Sequence, residues 1–171
     1  MLRRGCKPFW KNVRLCGESK MQKCLIANRG EIACRLIRAA QQYGLVTVAI
    51  YSDADRHSLH VQLADEAYRV GASEASQSYL KQDVILEVAR ISGCDAIHPG
   101  YGLLSENASF AMACQQAGVT FIGPSSDVIE LMGDKKAAKE VAKELDIPII
   151  EGMYVPKDFD EAWCKQSSLQ Q

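Results

Sequence analysis

Apolar and polar positions follow two patterns, one typical of strands and one typical of helices, from Lys23 to about Gly152. Residues 46–51 form a continuous run rich in β-branched side chains, which is typical of a strand covered on both faces. Residues 32–43 instead repeat apolar side chains at the spacing of one helix face. The pattern predicts strands at residues 23–27, 46–51, 66–70, 96–98 and 119–122, and a last strand at Ile149 and Ile150.

Helical patterns lie between these strands. They predict helices at residues 32–43, 60–64, 83–92 and 128–132, and one that starts at Ser105. Asp134 is a suitable N-cap for a further helix that runs to Leu145. The stretches 52–56, 72–78 and 99–102 are polar or rich in glycine and proline, and they predict loops.

Strands that alternate with helices imply parallel pairing with right-handed crossovers. We therefore predict an α/β fold, a doubly wound and mostly parallel Rossmann-like sheet, for residues 21–152. Residues 153–171 form a polar tail without a periodic apolar face, which predicts weak order.

Residues 1–20 are basic and separate from the globular pattern. Five cations precede the first acidic residue, Glu18, which is typical of a mitochondrial transit peptide. A disordered basic tail and an alternative upstream translation start, with Met21 opening the domain, fit the same composition. The leader favours the mitochondrial matrix, and the two alternatives leave the cytoplasm open.

Charge and cysteine usage exclude several classes of function. The net charge of -1 gives no broad attraction to nucleic acid or to anionic membranes, and no run approaches a membrane span. The seven cysteines contain no C-x-x-C pair, and no histidine lies at ligand spacing, so we expect neither disulfides nor a metal site. We interpret Cys24, Cys34 and Cys114 as small buried hydrophobic residues.

The turn of residues 28–31 follows the first strand, where α/β sheets bind ligands. It lacks the G-x-G-x-x-G pattern of dinucleotide sites, although Asp53 ends the second strand where a ribose-binding acid would lie. We therefore place a nicotinamide-dependent dehydrogenase last among the alternatives. Arg29, Glu31, Arg35 and Arg38 are spaced for an ion network, which suits a subunit contact as well as a solvated face.

Two later motifs are better candidates for ligand contact. His98 ends a strand and precedes the loop of residues 99–102; it is either a general base or a hydrogen-bonded structural residue. Lys135 begins a helix, where a cation is favourable beside a bound anion, although a solvated lysine is the simpler alternative.

Six motifs resemble the N-terminal domain of biotin carboxylases and occur in that family's order. They are KCLIANRGEIACR at residues 23–35, ADEA at 64–67, SYL at 78–80, AIHPGYGLLSEN at 96–107, FIGP at 121–124 and MGDK at 132–135. Residues 49–60 and 67–68 look most similar to the biotin carboxylase subunits of methylcrotonoyl-CoA carboxylases.

The resemblance implies that ATP phosphorylates bicarbonate and that the CO2 then passes to N1 of biotin. It implies ATP, biotin and Mg2+ or Mn2+ as cofactors. The implied partners are a biotin carboxyl carrier domain, a carboxyltransferase subunit and a second copy of the domain. By position, Lys135 resembles an ATP contact, Tyr101 and Gly102 resemble the border of the biotin and bicarbonate pocket, and Arg35 and Arg38 resemble a dimer contact.

Two positions depart from the family pattern. Gln42 stands where some relatives have an acidic dimer partner, and Leu103 stands where most have phenylalanine. The family's ATP-grasp domain is expected to begin shortly after Gly152, so we assign no catalytic residue to this chain and expect it to be inactive alone. The alternative is a non-catalytic binding module that docks on full-length carboxylase subunits.

Overall fold

A computed structural model describes residues 21–150. The predictions for the basic leader at 1–20 and for the tail at 153–171 lie outside the described residues. The chain divides into two units, with a boundary between Glu130 and Leu131, and each unit is described by itself.

The first unit is built on a five-stranded sheet in which every neighbouring pair is parallel. Its strands are β1 (Lys23–Ile26), β2 (Val46–Ser52), β3 (Glu66–Gly71), β4 (Ala96–His98) and β5 (Thr120–Phe121). The order across the sheet is β3-β2-β1-β4-β5. This arrangement confirms the predicted doubly wound parallel fold.

The described part of the chain contains six α-helices. They are α1 (Gly30–Gln42), α2 (Leu59–Leu63), α3 (Gln82–Ser92), α4 (Ala108–Gln116), α5 (Ser126–Gly133) and α6 (Lys135–Glu144). Short 3-10 turns at Asp53–Asp55 and Ala75–Gln77 lie in stretches that the sequence predicts as loops.

Both faces of the sheet are covered, as expected for buried parallel strands. Side chains of β1 alternate between two core clusters: Leu25 belongs to one and Ile26 to the other. The first cluster also holds Tyr79 and Phe110, and the second holds Ile37 of α1. Cys24, Cys34 and Cys114 are buried with free thiols, which confirms their interpretation as core residues.

One predicted helix start and one predicted strand are wrong. The helix predicted from Ser105 begins at Ala108, because the side chain of Asn107 accepts a hydrogen bond from the backbone N–H of Phe110 and caps α4 there. Ile149 and Ile150 form no strand in the described structure. Two apolar residues after a proline do not make a strand without a neighbouring edge to pair with.

Candidate functional site

The chain reverses its direction across the sheet between β1 and β4. It runs outward from β1 to β3 and then returns to place β4 on the other side of β1. The neighbouring strands stay in register to their ends, where the backbone N–H of Ala27 donates to the carbonyl oxygen of His98 at 2.9 Å. Open α/β sheets bind ligands at such a switch point, outside the carboxyl ends of the strands.

Asn28 and the loop of residues 99–102 meet at this switch point. Asn28 is only 4% exposed, and its side-chain Nδ2 donates to the carbonyl oxygens of Pro99 at 2.7 Å and Tyr101 at 2.9 Å. Its Oδ1 accepts from the backbone N–H of Arg29 at 2.9 Å. One buried amide therefore joins the turn after β1 to the loop after β4.

Gly100 allows the loop to lie against this amide. A Cβ at position 100 would lie 2.8 Å from Nδ2 of Asn28 and 2.9 Å from Cγ2 of Ile32. Its φ of +71° lies in the left-handed region that glycine adopts without strain. Sequence reasoning identified this loop but missed Asn28 as its anchor, because the order of the strands is not visible in the sequence.

Tyr101 and Gly102 lie together at the exposed end of the loop. The Tyr101 side chain is 67% exposed although its own carbonyl oxygen is held by Asn28, and Gly102 is also exposed. The loop therefore presents an aromatic ring to solvent from a fixed backbone. Such a ring offers an apolar face to a flat ligand.

His98 takes part in the same loop. Its Nδ1 accepts from the backbone N–H of Gly100 at 3.1 Å, and burial lowers the pKa of the imidazole. A neutral ring with an accepting Nδ1 is required for this bond. The contact favours the structural alternative for His98 over a general base.

A second polar cluster surrounds Asp55, next to the end of β2. Its Oδ2 accepts from the hydroxyl of Tyr79 at 2.6 Å and from the hydroxyl of Ser52 at 3.2 Å, and Nη1 of Arg29 lies 3.4 Å away. Burial opposes ionisation of Asp55, but these hydrogen bonds and the Arg29 charge lower the pKa of its carboxyl overall. Burial and the bond to Asp55 raise the pKa of Tyr79 to about 12.

The arginines on and before α1 do not form the ion network that their spacing suggests. Arg29 turns toward the Asp55 cluster, where its guanidinium carbon lies 5.6 Å from the centroid of the Tyr79 ring. Glu31, Arg35 and Arg38 are exposed, and no ion pair joins them within the described residues. The role of Arg35 and Arg38 in a subunit contact stays a prediction.

Lys135 is the first residue of α6, in the second unit, and it is exposed. The carboxylate of Asp134 caps this helix by accepting from the backbone N–H groups of Lys136 at 2.8 Å and Ala137 at 3.2 Å. Asp134 therefore supplies the negative charge that favours this helix start. The contact of Lys135 with ATP stays a prediction.

Asp53, the acid that follows β2, forms an ion pair within the first unit. Its two carboxylate oxygens accept from the guanidinium of Arg69 at 2.7 and 2.8 Å, and these bonds lower the pKa of the carboxyl. Among residues 21–150, no group of three or more His, Cys, Asp or Glu is arranged to hold a metal ion. The same part of the chain has no helix long and apolar enough to cross a membrane.

Known proteins resemble this chain in both sequence and structure. The chain is 60% identical over 142 residues to a biotin carboxylase of Halalkalibacterium halodurans, which covers 82% of this chain and 31% of the relative. It is 53% identical over 132 residues to a mitochondrial methylcrotonoyl-CoA carboxylase subunit alpha of Dictyostelium discoideum, covering 77% of this chain and 19% of that one. The chain thus spans about a third or less of the length of these relatives.

Solved structures agree with the sequence relatives. The biotin carboxylase domain dimer of Hydrogenobacter thermophilus 2-oxoglutarate carboxylase, in complex with MgADP, ADP and bicarbonate, matches with a TM-score of 0.79 at 44% identity. That match covers 90% of this chain and 33% of the other. The family model described as the N-terminal domain of biotin carboxylase matches residues 20–129, more than half of the sequence. The chain therefore belongs to the biotin carboxylase N-terminal domain family.

Proposed function

We propose that this chain supplies the N-terminal domain of a biotin-dependent carboxylase, a ligase that uses ATP and bicarbonate to carboxylate biotin. The observation that carries the proposal is the match of residues 20–129 to the family model. The exposed Tyr101 at the switch point of the sheet agrees with it, because ligands of α/β sheets gather at this edge.

Within this proposal, the two units make different contributions. Tyr101 and Gly102 border the pocket for biotin and bicarbonate, and Lys135 contacts the phosphates of ATP. Because Asp134 accepts from the N–H groups of Lys136 and Ala137, Lys135 acts through its ammonium rather than as part of a backbone phosphate cradle. No group in residues 21–150 fits Mg2+ or Mn2+, so no step is assigned to a metal held there.

Phosphoryl transfer depends mainly on positioning and on neutralisation of phosphate charge by several cations. The described residues offer Lys135 for this task but no metal cluster. We propose that the 171-residue chain is inactive by itself, because a single lysine cannot provide this neutralisation alone. Bicarbonate-dependent release of phosphate from ATP by the purified chain would contradict this.

The proposed acceptor is methylcrotonoyl-CoA, an intermediate of leucine breakdown, with a carrier domain and a carboxyltransferase subunit as partners. Mitochondrial methylcrotonoyl-CoA carboxylase subunits from Rattus norvegicus and Arabidopsis thaliana support this choice at 51% identity, and a propionyl-CoA carboxylase chain of Ruegeria pomeroyi matches at 52%. An assay of which acyl-CoA the assembled enzyme carboxylates, methylcrotonoyl-CoA or propionyl-CoA, decides between these two acceptors.

The same relatives support a mitochondrial matrix location, with the cytoplasm as the alternative. Residues 1–20 fused to a fluorescent protein should direct it to mitochondria. A fusion with the five basic residues that precede Glu18 changed to serine is the control, and cytoplasmic fluorescence of the unchanged fusion would contradict the matrix location.

The proposed site is tested in a carboxylase chimera, in which this chain replaces the matching 142 residues of the H. halodurans biotin carboxylase. Tyr101→Ala should raise the KM for free biotin while leaving the KM for ATP unchanged. Tyr43→Ala, at an equally exposed tyrosine at the end of α1, serves as the control. Equal biotin KM values for the two variants would overturn the assignment of Tyr101.

A second candidate function is a binding module that docks on full-length carboxylase subunits. The observation that favours it is the exposed pair Arg35 and Arg38, one helical turn apart on α1 and without an ion pair in the described structure. The purified chain should then capture a full-length subunit, and Arg35→Glu with Arg38→Glu should abolish capture. A monomer that captures nothing would exclude this function.

A further inference from the structure

Three hydrogen bonds from two side chains converge on the loop that carries Tyr101. The Asn28 amide donates to the carbonyl oxygens on both sides of Gly100, at Pro99 and Tyr101. The His98 ring accepts from the N–H of Gly100 between them. Two backbone carbonyl groups and one backbone N–H of the loop are thus held by hydrogen bonds, while the side chain of Tyr101 is exposed to solvent.

The geometry points to Asn28 as a positioning residue: its buried amide holds the loop of residues 99–102 in the conformation that presents Tyr101 at the switch point. Asn28 forms its side-chain hydrogen bonds with backbone atoms. It acts through the backbone, because its two N–H donors are both directed at loop carbonyl oxygens. The structural claim stands on these contacts, and only its link to biotin rests on the proposed function.

The side chain at position 28 must be an amide of this length. Its Oδ1 accepts from the N–H of Arg29 while its Nδ2 donates twice, so one group satisfies three backbone atoms. A carboxylate has nearly the same shape but no donor, and it would face the oxygens of Pro99 and Tyr101. Asn28→Asp therefore reverses the interaction with the loop while changing the volume very little.

Gln41, near the other end of α1, provides a matched control. Its Nε2 donates to the carbonyl oxygen of Leu63 at 2.9 Å, a contact between two helical segments that does not involve the loop. Gln41→Glu removes an amide donor from a backbone carbonyl in the same chemical manner. It should affect the general stability of the first unit but not the mobility of Tyr101.

The first test follows the loop directly in the 15N-labelled 171-residue chain. Backbone order parameters of Gly100, Tyr101 and Gly102 should be about 0.85 in the wild type and in Gln41→Glu, as for a rigid backbone. In Asn28→Asp they should fall below about 0.6 while those of the sheet stay unchanged. A loop that remains rigid with unchanged chemical shifts in Asn28→Asp would overturn the inference.

The second test reads the consequence in the carboxylase chimera. Asn28→Asp should raise the KM for free biotin about tenfold or more, because a displaced contact group loses its effect at the reacting centre. The KM for ATP should not change, and Gln41→Glu should change neither. A general structural defect would instead reduce the active fraction, and hence the apparent kcat, without this selectivity.

The outcomes separate the inference from the proposed function. A raised biotin KM in Tyr101→Ala but not in Asn28→Asp would overturn the positioning role of Asn28 in the reaction. A loosened loop without a biotin effect in either variant would leave Asn28 as the anchor and contradict the proposed site at Tyr101. If Asn28→Asp does not fold, Gly100→Ala breaks the same contact from the loop side and should give the same two results.

Discussion

At the scale of single residues, Tyr79 links the buried backbone N–H of Ser52 to the half-buried carboxylate of Asp55, beside the end of β2. Its side chain is 1% exposed, its hydroxyl donates to Asp55, and the hydroxyl oxygen accepts from the backbone N–H of Ser52 at 3.0 Å. Tyr79→Phe leaves the buried Ser52 N–H without this acceptor. We expect a loss of about 1–3 kcal/mol in the free energy of unfolding.

Urea unfolding of the wild-type and variant chains measures this loss. Tyr43→Phe provides the control, since Tyr43 is 67% exposed and surface changes usually stay within about 0.5 kcal/mol. Equal losses in the two variants would show that the Tyr79 hydroxyl is not needed for stability.

Buried histidines make stability depend on pH. The ring of His60 is fully buried, and its Nε2 lies 3.2 Å from the carbonyl oxygen of Ile50, which can only accept a hydrogen bond. The proton therefore lies on Nε2. Within the described residues, Nδ1 has no hydrogen-bond partner, so a second proton would be buried there without an acceptor. Burial lowers the pKa of His60 and also that of His98.

The sign of the pH effect follows from these lowered pKa values. Between the folded and unfolded pKa values the unfolded chain binds more protons, so stability falls as pH decreases in that interval. The free energy of unfolding should be constant from pH 8 to 7 and should decrease below about pH 6.5. Carboxylates with lowered pKa values, such as Asp53 and Asp55, lose their contribution only in more acidic solution. A flat curve down to pH 5.5 would contradict the burial of neutral histidines.

At the scale of elements, α4 depends on one capping side chain. Oδ1 of Asn107 accepts from the backbone N–H of Phe110 at 2.9 Å, and Phe110 is fully buried in the core. Asn107→Ala should reduce the free energy of unfolding by about 1 kcal/mol, the usual value of an N-cap. Gln116→Ala, at the exposed other end of α4, should have little effect. Chemical denaturation of both variants measures the difference, and a neutral Asn107→Ala would exclude the cap.

Periodicity predicted elements that extend over many residues better than those that depend on a single contact. The span of α1 followed from repeated apolar positions, and both of its ends were predicted within two residues. The predicted start of α4 was wrong because Ser105 and Asn107 are both good caps, and the sequence does not show which side chain accepts from a free N–H of the first turn. The strand at Ile149 and Ile150 was wrong because strand formation requires a partner, which two apolar residues cannot reveal.

At the scale of the whole molecule, the order of the strands creates the candidate site. The sequence predicts parallel strands, but it does not show that β4 lies beside β1 rather than beside β3. Only that order brings the turn after β1 to the loop after β4, so the amide of Asn28 could not be assigned to the loop from the sequence. The turn of residues 28–31, first considered as a ligand site, instead supports the loop that presents Tyr101.

The two units of the chain are predicted to affect different substrates. In the carboxylase chimera, Lys135→Glu should raise the KM for ATP about 10- to 100-fold, since a charge-assisted phosphate contact contributes roughly 1.5–3 kcal/mol. It should leave the KM for free biotin and the stability unchanged, because Lys135 is exposed.

Asp134→Ala is the matched control, as it removes the cap of α6 but keeps the cation. We expect Asp134→Ala to lose stability without a large rise in the KM for ATP. That result would show that the effect of Lys135→Glu on ATP comes from the ammonium charge and not from a weakened helix start. An unchanged ATP KM in Lys135→Glu would remove Lys135 from the nucleotide site and leave the role of Tyr101 to be judged by biotin alone.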